Sequence, residues 1–303
     1  IIGVGSNNAF GSGLLSLTGG TLRAVGADRT IPTPVSLDGT LPVLGDLDLT
    51  FTGATTLTGD RTIQVMDPNA IVTFAAPIGE GIFASRPLNK AGRGTLNLTA
   101  VNTFSGTMTV NNDGGTLTLS GNGSLLNANA ININQNGVLR LDNSGTNNSN
   151  RVNDVISIGL NGGEIVLVGN ATAAVTETTG PINTGDQQAS TITVENISAG
   201  AQSVALVGNL LGINATRTIN FRAVGSGTGG DLSATGPSRI VFQNSPGNLL
   251  NGVLAASRTT GNVGTNLAAL GNSPEGVGIV PIPTTAYTSD LANAGPLSNV
   301  RIT

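Results

Sequence analysis

The sequence predicts an all-β protein built as a parallel β-solenoid with about 22 residues per coil, and three observations lead there. A short cassette of glycine followed by alternating apolar residues recurs, as Gly13-Leu-Leu-Ser-Leu-Thr18, Gly20-Thr-Leu-Arg-Ala-Val25, Gly45-Asp-Leu-Asp-Leu-Thr50, Gly94-Thr-Leu-Asn-Leu-Thr99, Gly115-Thr-Leu-Thr-Leu-Ser120 and Gly137-Val-Leu-Arg-Leu-Asp142. Strand side chains alternate between faces, so each copy has one leucine face to bury and one Thr/Asn/Asp face to leave wet. Gly94, Gly115 and Gly137 follow one another at a nearly constant interval that suits one coil of such a stack.

Composition supports a stacked rather than a globular chain. Of 303 residues, 38% are hydrophobic, 10% charged and 3% aromatic, with 44 glycines and no cysteine or histidine. Ordinary soluble domains carry about 25% charged residues, so acid, base and redox groups are scarce here. No disulfide or thiolate metal site is available. The net charge of −4 and the scattered arginines form no basic stripe, which excludes nucleic acid as the expected partner. No apolar run is long enough for a membrane span. The chain opens at Ile1 without a methionine, which reads as a processed product or an excised piece.

From Ile1 to about Arg86, cassettes alternate with breakers such as Gly19-Gly20, Asp38-Gly39, Gly59-Asp60 and Asp67-Pro68-Asn69. A second refrain, Asp28-Arg-Thr-Ile31, returns at Asp60-Arg-Thr-Ile63 and is echoed at Thr216-Arg-Thr-Ile219. From Pro87 to about Val168 the pattern is most regular. Its Asp113-Gly114, Asn136-Gly137 and Asn161-Gly162 steps suit hairpin turns, but in a solenoid they serve as corners, the reading favoured here. Alternation persists in Ser190–Val194, Gln202–Val207, Thr218–Arg222 and Ser238–Phe242.

The expected organisation is therefore a solenoid over 1–253. An irregular, Pro/Gly-punctuated extended tail over 254–303 would pack on the solenoid or on a neighbouring subunit. Ala255 to Ala268 reads as polar and helix-tolerant, and Pro274 through Pro283 to Thr303 as extended chain. The expected period makes roughly eleven coils up to Val253 and a rod on the order of 50 Å long. Phe10, Phe51, Phe74, Phe104, Phe221 and Phe242 are expected to fill its corners.

The segment Leu88-Asn-Lys-Ala-Gly-Arg-Gly-Thr-Leu-Asn-Leu-Thr99, followed by Asn102-Thr-Phe-Ser-Gly-Thr-Met-Thr-Val110 and Gly115-Thr-Leu-Thr-Leu119, resembles the autotransporter-associated β-strand repeat, also called the passenger-associated transport repeat. Lys90, Gly92, Gly94, Leu96, Leu98, Asn102, Phe104, Gly106, Thr109 and Val110 fall on its pattern. The match covers about thirty residues, and beyond Val168 it is compositional only. The resemblance implies a right-handed parallel β-helix, exported and displayed at, or released from, a bacterial surface.

Candidate chemistry is sparse. Asp46 and Asp48, two apart, would share the wet face of a strand, where carboxylates can flank a sugar or bind a cation; the simpler reading is solvation. Lys90 could supply half of an isopeptide bond, but its place in the repeat motif favours a structural role. Gly225-Ser-Gly-Thr-Gly-Gly-Asp-Leu232 is like one imperfect copy of a calcium-binding nonapeptide, whose sites need tandem copies. No catalytic, cofactor-binding or metal residue is therefore assigned. The expected function is that of a non-catalytic extracellular structural protein, a β-solenoid rod or filament subunit that meets itself head to tail through β-augmentation. The alternative is a passenger adhesin that binds surface glycans through exterior loops.

Overall fold

The computed structural model describes residues 1–82, 85–185, 189–212, 218–246, 249–250, 253–262, 264–282, 287–288 and 299–300. They form a parallel β-solenoid. Its first face is a ten-stranded sheet that starts at Ile2–Val4, passes through Leu88–Ala91, Met108–Val110 and Ala130–Asn134, and ends at Leu211–Gly212. The second face stacks Arg29–Ile31, Leu49–Phe51, Ile71–Phe74, Thr95–Leu98, Thr116–Leu119, Val138–Asp142, Glu164–Val168, Ser190–Asn196, Ile219–Gly225 and Val253–Gly261 in parallel order. The third face has a four-stranded run from Leu15–Leu17 to Ile78–Gly79. It then continues through isolated bridges, Val101 to Ser124 and Leu125 to Val152. Regular strands return on it at Val175–Thr179, Val204–Gly208 and Ser238–Phe242.

The cassettes do what alternation dictates. Leu96 and Leu98 lie over Leu117 and Leu119, which lie over Leu139 and Leu141, and all six are buried. Each such leucine stabilises the stack by about 2 kcal/mol through the area it hides. The coil is longer and less even than the cassette spacing suggests. Ile2 pairs with Leu22, a step of 20, whereas Ile182 pairs with Leu211, a step of 29. Excursions at the corners absorb the difference, and the stack is ten strands deep on its first face rather than eleven.

Asp113, Asn136 and Gly162 take left-handed φ of 51°, 59° and 87° between strands of different faces. The Asn-Gly and Asp-Gly steps are corners, as the solenoid reading requires. Phe104 is buried outside any strand, as expected, but the other phenylalanines differ in place. Phe51, Phe74, Phe221 and Phe242 point inward from strands, not corners, and Phe51 stacks on Phe74 with centroids 4.7 Å apart. Phe10 is only partly buried against the core. The Asp-Arg-Thr-Ile refrain is not a coil equivalent either, since Arg29–Ile31 belongs to the second face and Arg61–Val65 to the first. Its third copy lies partly outside the described residues.

The C-terminal region corrects the expected boundary at 253. Val253–Gly261 is a strand that continues the parallel ladder, with Ile219 opposite Ser257. Gly264–Ser273 runs antiparallel beside it, Gly276–Pro281 antiparallel beside that, and the last of these meets Ser238–Phe242, again antiparallel. Ala255 to Ala268 is thus mostly strand, not helix-tolerant coil. The meander joins the third face to the second across the end of the stack, and its Ala268 and Ile279 enter the common core. Arg239 fastens it through Glu275 at 2.7 Å. This part of the tail packs on its own solenoid; Pro283 and most residues after it lie outside those described.

Close coil-to-coil contact makes certain glycines obligatory. A Cβ built on Gly106 would lie 2.2 Å from the carbonyl carbon of Arg86 and 2.3 Å from its oxygen, with no flexible side chain to give way. Gly106→Ala is expected to destabilise the protein by about 2 kcal/mol, read as a lower urea midpoint.

Candidate functional site

Asp46 and Asp48 do not share a strand face. They sit in the corner before the strand Leu49–Phe51, with Asp46 exposed. Asp48 is occupied in the ladder: its carboxylate accepts the Ile71 N–H at 2.7 Å, and its own N–H donates to Asp28 at 2.9 Å. Among the described residues no group of three or more Asp, Glu, His or Cys could hold a metal ion. Gly227–Gly230 is a short 3₁₀ turn whose Gly229 and Gly230 are buried, and a Cβ on either would meet Asn196 or Asn262 within about 3.0 Å. Gly229 and Gly230 thus serve close packing.

Several clefts line the described surface. A cleft of about 430 Å³ near the start is lined by Asn8, Gly11, Ser12, Pro32, Thr33 and Pro34, without a titratable side chain. Another of about 240 Å³ gathers Arg93, Asp113, Gly115 and Asn136 at a corner. There the Asn136 amide donates to Asp113 at 2.8 Å.

The most developed polar centres are inside the stack. Lys90 occupies an inward position of the first face, in an aliphatic ladder between Ile63 and Val110, and is completely buried. Its Nζ turns to the corner and donates to the carbonyls of Ala91 (2.8 Å), Gly92 (2.7 Å) and Gly114 (2.6 Å). No carboxylate or side-chain amide is among these acceptors, so the isopeptide chemistry has no partner there. Three carbonyls hold the ammonium, while burial pushes its pKa down to about 7.

Sequence reasoning missed a second buried cation, Arg151. Its Nε donates to Asn143 Oδ1 at 3.1 Å and its Nη1 to the carbonyls of Gly121 (3.2 Å) and Gly123 (3.0 Å). Its Nη2 donates to those of Asp142 (2.6 Å) and Thr146 (3.0 Å). Five oxygens from two coils surround the guanidinium much as they would a metal ion, and the excursion from Asp142 to Arg151 folds around it. Above it sits Glu177, also buried, whose Oε1 accepts the N–H groups of Arg151 (2.8 Å) and Val152 (2.9 Å). The available signals were an arginine alone in an Asn/Ser run and the parity of Val175, Glu177 and Thr179 on one strand face.

On the outside of the second face, Arg140 reaches over one strand to Glu195 (2.8 Å), and Arg222 likewise to Glu164 (3.1 Å). These pairs bridge alternate coils. No family model, curated protein or solved structure matches the chain.

Proposed function

We propose that this chain is a non-catalytic structural protein, a β-solenoid rod that works outside the cell. The observation that carries the reading is where its buried charges go. Lys90, Arg151 and Glu177 each hydrogen-bond to backbone groups across coils or at corners, Arg151 also to the Asn143 side chain, and none of them lines the clefts described above. Such groups stiffen a shaft and leave nothing for substrate. The repeat-like segment Leu88–Val110 supports export to a bacterial surface. Head-to-tail stacking of whole rods is the weaker form of the reading, because the antiparallel meander occupies an edge that a second copy would have to continue.

A second reading, an adhesin that holds neutral glycans, draws on one exterior column of the first face. Thr62, Asn89, Thr109, Asn132, Gly159 and Asn183 follow one another coil by coil without a charge. Such a column offers weak contacts repeated along the shaft.

Negative-stain electron microscopy of the purified chain tests the first reading. Ten strands at about 4.8 Å predict discrete rods about 45 Å long. Compact globules overturn it, and long fibres in place of discrete rods favour its head-to-tail form. The Asp46→Asn, Asp48→Asn double variant should fold as the parent does, since asparagine keeps the acceptor that Ile71 needs, and neither protein should turn over a panel of glycans. Turnover by the parent that vanishes in the variant would restore an enzymatic role.

A further inference from the structure

Glu177 stands where the third face is discontinuous. In the coils just below it the face has isolated bridges, from Val101 to Ser124 and from Leu125 to Val152, in place of strands; from Val175–Thr179 onward it is a regular parallel ladder. The two parts are joined by a side chain. The N–H groups of Arg151 and Val152 donate to one carboxyl oxygen of Glu177. The other oxygen, Oε2, is buried with no partner, and in the next coil the neighbour in register is Leu206.

We propose that Glu177 is an acid-tightened joint in the shaft: a proton on its buried carboxyl fastens the strand Val175–Thr179 to the Arg151–Val152 corner, and loss of that proton loosens the junction. An ionised carboxylate would put charge on the orphan oxygen in an apolar surround, whereas the neutral acid still accepts both N–H groups through Oε1. The charged groups that face it are Arg151 and Asp154. Arg151 cannot neutralise it fully, because its guanidinium is committed to five other oxygens and makes no ion pair with Glu177. Asp154 opposes ionisation. Burial, the largest influence, pushes the carboxyl up to about 7 against the pull of the two N–H groups and Arg151.

The sign follows from linkage. A carboxyl that titrates near 7 when the junction is closed and near its ordinary value when it is open keeps its proton longer in the closed form. Closure is tightest in acid, weakens as pH rises through that interval, and is level above it. One proton changes the opening equilibrium at most about tenfold per pH unit.

Hydrogen exchange on the intact chain, corrected for intrinsic rates, reads this directly. Protection of the Arg151 and Val152 amides should fall about 40-fold between about pH 5 and pH 7 and then level off. Amides of the distant strand Leu49–Phe51 should not follow. Glu177→Gln keeps the accepting oxygen and removes the titration, so its protection should be flat. Parent protection that is flat over this range, or the same fall in the variant, overturns the proposal. If the variant does not fold, infrared difference spectra of the parent decide: a protonated carboxyl disappearing with a midpoint near pH 7 supports the joint, and no protonated carboxyl at about pH 6 overturns it.

Discussion

Replacing Arg151 with methionine should cost about 4 kcal/mol, the largest loss expected from a single side chain in this protein. The arginine is completely buried, and its removal takes a donor from the carbonyls of Gly121, Gly123, Asp142 and Thr146, while the Asn143 amide oxygen keeps the Asn148 N–H. Methionine fills the volume but donates nothing, so several acceptors lose their partner at once. In a quasi-one-dimensional stack each coil contacts mainly its neighbours, so a lesion of this kind weakens one section before the rest. Urea unfolding of Arg151→Met is therefore expected to split into two steps, with exchange protection lost first between Asp142 and Val152. Arg151→Lys should recover part of the loss only, because an ammonium cannot reach oxygens spread around a planar fork. A single transition near the parental midpoint would show that the loop orders itself without the guanidinium.

Lys90→Met is expected to cost about 3 kcal/mol and to change the pH profile of stability as well. Methionine suits the aliphatic ladder of Ile63 and Val110, which isolates the loss to the carbonyls of Ala91, Gly92 and Gly114. Burial holds the folded-state pKa near 7, below its ordinary value. A lowered lysine pKa means that the unfolded chain binds the extra proton in the interval above it. The contribution of Lys90 is then greatest in alkali and falls as pH drops toward about 7. Melting temperature measured from neutral to alkaline pH should rise in the parent, relative to Lys90→Met, by an amount that vanishes below pH 7. Glu177 has the opposite sign on the acid side, so the two buried ions together place a shallow minimum near neutrality.

Much of the fold was legible because a solenoid repeats one local rule. Gly94-Thr-Leu-Asn-Leu98 fixes its own inward and outward faces by period two, and the same holds for Gly115–Leu119 and Gly137–Leu141; the structure buries all six leucines. Asn136-Gly137 was legible as a corner because a left-handed φ is cheap for asparagine and glycine. The failures have one cause. Gly45-Asp-Leu-Asp-Leu-Thr50 carries the cassette pattern, yet its strand begins only at Leu49, because the preceding residues must turn the corner between faces. Alternation marks residues able to form a strand, not where the coil has to bend.

Burial of leucine, isoleucine and valine ladders by parallel stacking follows from alternation alone, which is local and needs no partner to be recognised. Which residues meet across coils depends on the folded stack. Arg151 finds Gly121 and Gly123, 30 and 28 residues before it, while Glu177 meets Arg151 from 26 residues beyond. These offsets are set by corner excursions, which stretch the coil from the short step between Ile2 and Leu22 to the long one between Ile182 and Leu211, and their lengths leave no periodic trace. The same holds for the meander that closes the end: its strands gain their partners from an edge that exists only after the coils have stacked.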